Sequence, residues 1–149
     1  MIQRIQSIFL LLAATVTIVF CFTDFAYLKI NGQDYSFSAF GIKTIAFELN
    51  KGISTTPLML IILITAFITL VCIFLYKKRV LQMKLCILNA ILLIGVIGLI
   101  VFHFQTLKPS EFQFRWSVVL PILALILQLL SYKYIKKDEK LVRSLDRIR

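Results

Sequence analysis

In a chain whose long apolar runs carry no charge, the side chains able to do chemistry are few enough to name. Within those runs stand Ser7, Thr15, Thr17, Thr65, Thr69, Asn89, His103, Gln128 and Ser131, together with Cys21, Cys72 and Cys86. No Asp, Glu, Lys or Arg joins them, which argues against a proton relay, an ion pathway or a charged substrate site built from this chain alone. His103 with Cys21 at similar depth makes at most two ligands, so no metal is expected. His103 reads instead as an interfacial histidine packing against the neighbouring extramembrane loop. The three cysteines read as small buried residues, and Cys72 and Cys86 fall on the side where a disulfide does not persist. There is no glycine-rich phosphate loop, HExxH pattern, serine elbow or pair of catalytic carboxylates. The chain therefore reads as a non-enzyme with no cofactor.

The spacing of the polar residues is helical. Ser7, Ala14, Thr17 and Cys21 share one face, as do Thr65, Thr69 and Cys72, and so do Pro121, Ala124, Gln128 and Ser131. Small and hydroxyl residues on one face let membrane helices approach closely. Asn89, Val96 and His103 share a further face, with Gly95 and Gly98 on roughly the opposite side. By the helical rise, Asn89 and Gln128 each lie about 6 Å in from the same end of their runs, so an interhelical hydrogen bond between them is expected. Thr69 and Thr17 are further candidates for such contacts. A substrate-binding pair is the sharper alternative for Asn89 and Gln128.

The elements that position these residues follow from composition. The 149 residues are 60% hydrophobic and 16% charged, with a mean hydropathy of +0.91. A soluble core of this size has no means of burying so much apolar surface. The balance also excludes a disordered chain, a disulfide scaffold and a soluble nucleic-acid-binding domain. A bilayer core about 30 Å thick needs roughly 20 apolar residues per helix. Four charge-free runs meet this, at about residues 5–23, 57–76, 85–104 and 117–132, the fourth span (about 117–135) continuing a turn past its run. Continuous apolarity rules out the alternation of barrel strands. Thr56-Pro57 reads as a helix start, and Pro121 lies in the first turn of the fourth run. The fold class is thus an all-α membrane protein, one integral domain over 1–149 built as a four-transmembrane-helix bundle.

The net charge of +10 is distributed unevenly. The segments before span one, between spans two and three, and after span four hold twelve basic residues against three acids, giving +9; the other two connections hold five against four, giving +1. The positive-inside rule places both termini in the cytoplasm of an inner-membrane protein. Charge is then an orientation signal with membrane lipids as its secondary partner, and nucleic acid is not expected as one. The first run lacks a small-x-small cleavage pattern, and Phe20 precedes Cys21 where a lipidation site needs a small residue, so it is expected to stay as a span.

The sizeable outer connection, residues 24–56, reads as a small β element. Residues 25–30 and 35–40 partly alternate around Asn31-Gly32, which predicts a hairpin. Ile45, Phe47 and Leu49 alternate through a possible third strand over 42–49. Its aromatic face, with Tyr35, Phe37 and Phe40, is expected to form a lid on the helix ends or a docking surface for a partner. The tail over 136–149 places Leu141, Val142, Leu145 and Ile148 on one stripe with Arg143, Arg147 and Arg149 around it. Such a helix continues span four, lies on anionic lipid, or docks a cytoplasmic protein.

The opening MIQRIQSIFLLLAA, with Gln3, Arg4 and Gln6, and the closing DEKLVRSLDRIR, with Asp146, Arg147 and Arg149, resemble a family of short bacterial four-span inner-membrane proteins catalogued as a domain of unknown function. That resemblance covers essentially the whole chain and implies topology and compartment without a reaction. A four-span plan with an outer sheet after span one is also similar to claudin-like proteins in architecture, but the loop lacks their paired cysteines and tryptophan motif. The reading that results is a non-catalytic accessory or scaffold subunit with a membrane-protein partner. The alternative is a small transporter or lipid-handling homo-oligomer.

Overall fold

The structure is a computed structural model that describes residues 2–30, 32–44, 55–76 and 78–146. Among these, four helices are long and apolar enough to cross a membrane. They are α1 (Ile2–Phe22), α2 (Thr56–Phe74), α3 (Arg79–Leu107) and α4 (Leu120–Asp146), the last preceded by a 3₁₀ turn over Trp116–Val119. Each packs on its neighbours in sequence, and α1 closes the ring against α4.

The buried positions explain the packing. They run 6, 10, 13, 17, 20 on α1, 58, 62, 65, 69, 72 on α2, 82, 86, 89, 93, 96, 100, 103 on α3 and 121, 124, 128, 131, 135, 138 on α4, with the small Ala14, Cys21, Ala66 and Ala90 buried beside them. This alternation of four and three is the heptad seam of interlocking helices. The outward positions hold the large apolar residues, such as Phe67, Phe74, Ile91 and Ile126. A bundle with its apolar side chains outside is built for lipid.

Some boundaries differ from those expected. α3 begins at Arg79 and ends at Leu107, beyond 85–104 at both ends, because a helix continues past the apolar run wherever its backbone bonds can still close. It stops where Lys108 turns left-handed (φ 41°) ahead of Pro109. α4 runs without a break into the tail as far as Asp146, so within the described residues the tail helix continues span four. The capping residue of α2 is Thr55, one position earlier than expected, and its hydroxyl is instead donated to the Ala39 carbonyl.

The sheet holds four antiparallel strands, β1 (Asp24–Ile30), β2 (Gln33–Ser38), β3 (Gly41–Thr44) and β4 (Glu111–Phe114), in the order β3-β2-β1-β4. The expected hairpin is present, with Ile30 paired to Gln33 across a turn in which Gly32 takes φ 78°. A bulge at Phe25 gives β1 one extra residue. The third strand is shorter than expected within the described residues, and Ile45, Phe47 and Leu49 lie outside them. The fourth strand comes from the connection between α3 and α4, which the sequence reading treated as a plain link. Lys29 pairs with Glu111 and Ala26 with Phe114.

Candidate functional site

Two regions concentrate side chains that a lipid-facing scaffold alone does not need. The first is a polar seam inside the bundle, at the end away from the sheet. Thr69 donates its hydroxyl to the Thr65 carbonyl one turn back at 2.7 Å, leaving its oxygen to accept from Asn89 Nδ2 at 2.8 Å. That bond ties α2 to α3. Gln82 Nε2 ties them again by donating to the Cys72 carbonyl at 2.9 Å. On the other side of the ring, Gln6 Nε2 donates to the Tyr134 carbonyl and Ser131 donates to the Gln6 carbonyl, each at 3.3 Å.

The expected Asn89–Gln128 bond is absent, since Thr69 takes the Asn89 amide. Gln128 lies beside Cys86, which neighbours Cys72, and both thiols are free. Asn89 and Gln128 are each 1% exposed, yet Asn89 Oδ1, Gln82 Oε1 and both amide atoms of Gln128 lack a hydrogen-bond partner. Thr17, the fourth candidate contact, donates to Ala13 of its own helix at 2.8 Å and ties no second helix. At the end of the seam the Arg79 guanidinium lies 3.4 Å from the Asp138 carboxylate, with the two side chains 19% and 11% exposed.

The second region is the sheet end. Here Tyr35 and Phe37 correct the expected docking surface, for both are buried. Phe37 meets Phe25 edge-on at 5.4 Å and stacks on His103 at 5.8 Å, while Phe25 stacks on Phe20 at 4.4 Å. Alternation put these rings on one face, and the hydrophobic effect turns that face onto the bundle. His103 sits against the hairpin as expected and contacts the Leu99 carbonyl through Nδ1 at 2.8 Å. Phe40 alone of the three aromatic candidates is exposed, near Phe22 at 5.8 Å.

The exposed aromatic patch comes from residues that sequence reasoning did not select. Phe112, Phe114 and Trp116 are 55%, 56% and 64% exposed. Phe112 and Phe114 line an apolar cleft of about 390 Å³ between α3 and the start of α4, together with Ile100, Val101, Phe104, Pro109, Val118 and Ile122 among others. The alternating Glu111-Phe112-Gln113-Phe114 was the available signal. Ser117 anchors this segment by donating to the Asp24 carbonyl, and Arg115 bonds the Tyr27 hydroxyl at 2.9 Å.

In the tail, Leu141 is exposed on α4. Arg143 and Leu145 belong to the same helix, and Arg147 and Arg149 lie outside the described residues. Among the described residues no group of three or more His, Cys, Asp or Glu is placed to hold a metal.

Over residues 2–148 the chain matches the model of a family described as Domain of unknown function (DUF4293), and it belongs to that family. No curated protein matches it.

Proposed function

We propose that this member of the DUF4293 family is a non-catalytic accessory or scaffold subunit of a membrane protein complex, seated in a bacterial inner membrane with both termini in the cytoplasm. The observation that carries the reading is β4. Its side chains are all exposed, and its edge away from β1 carries no strand among the described residues. An open sheet edge beside an exposed aromatic patch offers unpaired backbone donors and acceptors to a further strand, and a partner that covers the edge satisfies them. The apolar cleft next to it fits the side of a partner helix, and rings of this kind are common anchors of such contacts. The orientation rests on the +9 against +1 charge count.

The test is a photo-crosslinker placed at Phe112, Phe114 or Trp116 in cells, followed by purification in mild detergent. A discrete heterologous membrane protein crosslinked at these positions supports the reading, and recovery of this chain alone counts against it.

The unpartnered Asn89 Oδ1 and Gln128 amide atoms favour a second reading, a small transporter or lipid-handling homo-oligomer that uses them along its path. Unchanged flux or lipid transfer after Asn89→Leu and Gln128→Leu removes that role.

A further inference from the structure

We propose that the end of the bundle opposite the sheet carries a binding site for the headgroup of an anionic phospholipid. The site is a cleft of about 740 Å³ between the α2–α3 turn and α4, where Lys78, Arg79 and Lys84 face a single carboxylate, Glu139. The rest of its lining is Tyr76, Val80, Leu81 and Val142. This inference is independent of the accessory-subunit reading.

Three features fit that ligand. The first is charge: with Arg79 paired to Asp138, Lys78 and Lys84 still outnumber Glu139, a surplus that attracts a phosphodiester more than a zwitterionic headgroup. The second is preparation. The buried Asp138 carboxylate lies 3.4 Å from Arg79 as an ion pair, which draws the guanidinium to one place and leaves its remaining donors for a ligand. The third is the apolar half of the lining. Val80 and Leu81 are exposed directly beside the lysines, which suits an acyl chain descending from a bound phosphate and serves no purpose for free phosphate. The first turn of α3 holds no acidic residue and no side-chain cap, so nothing on that turn competes for the anion.

The experiment uses the full chain in mild detergent and measures binding of phosphatidylglycerol, phosphatidylcholine and inorganic phosphate, by native mass spectrometry and by the shift in melting temperature. Phosphatidylglycerol is expected to bind roughly tenfold more tightly than phosphatidylcholine, with most of the difference lost in Lys78→Gln/Lys84→Gln. A control that removes the same charge from α4 away from the cleft, Lys133→Gln/Lys136→Gln, is expected to keep the preference. Equal binding of the two lipids by the unaltered protein overturns the proposal without reference to any variant. Equal loss in both double variants assigns the effect to general surface charge and overturns it too. Inorganic phosphate that displaces phosphatidylglycerol at comparable concentration shows a free-anion site and overturns the lipid assignment.

Discussion

Beneath the sheet, Phe20, Phe25 and Phe37 meet Leu58, Ile62, Val96 and Ile100 with every ring and branched chain covered. Further along the same heptad seams, the inward positions mix the aliphatic Leu10, Leu93 and Ile135 with Thr69, Cys72, Gln82, Cys86, Asn89 and Gln128, and hold no aromatic ring. The two regions are equally buried, but one is aromatic and the other mixes aliphatic and polar side chains. At the sheet end, water is close enough that burying aromatic surface is favourable, so large rings turn inward. Along the membrane-spanning length, lipid is as apolar as any leucine, so burying apolar surface gains little and helices associate through close packing and hydrogen bonds. The solvent outside each region decides what the inside is made of.

The comparison is broken most forcefully at Phe37. Phe37→Ala empties the centre of the aromatic core and is expected to cost about 3–5 kcal/mol, seen as a lowered melting temperature in detergent. Asp138→Ala leaves Arg79 part-buried without its partner; a cost of roughly 1–3 kcal/mol is expected from the same melt, scaled down from a fully buried pair because water reaches both groups. Within the seam, a double-mutant cycle over Asn89→Leu and Thr69→Val is expected to yield a coupling of about 0.6 kcal/mol, and no more than about 1.7. The smallest effect sharpens the contrast. Gln128→Leu replaces an amide with no partner by an apolar chain of similar size, and is expected to leave stability unchanged or raise it by up to about 1 kcal/mol. A Gln128→Leu loss as large as that of Phe37→Ala would mean that the seam is as tightly specified as the aromatic core.

How much of this was legible depended on how local each signal is. The four spans were plain because twenty apolar residues in a row admit few readings, and the Asn31-Gly32 turn announced its hairpin from a dipeptide. β4 was not plain. Glu111–Phe114 is four residues long, and what makes it a strand is a pairing with β1 far earlier in the chain. Alternation in 35–40 showed that Tyr35 and Phe37 share a face without showing which way it points. At the other end, Lys84 drew the expected start of the third span to residue 85 and so hid Gln82, although position 82 continues the spacing of 86, 89 and 93. Asn89 was expected to bond Gln128 and instead donates to Thr69, because which residue it meets depends on helix rotation, and spacing within one helix does not fix that.

The pairing of β1 with β4 also imposes an order of assembly. Strands β1, β2 and β3 can meet as soon as the first connection has been made, whereas β4 exists only after α2 and α3 have been synthesised. Until then β1 presents an unmatched edge, and the first half of the chain is an unfinished sheet attached to one or two helices. When β4 docks, its ladder ties β1, at the end of α1, to the connection between α3 and α4 at the end opposite the termini, so that the last strand to emerge is a latch set before the final helix follows it.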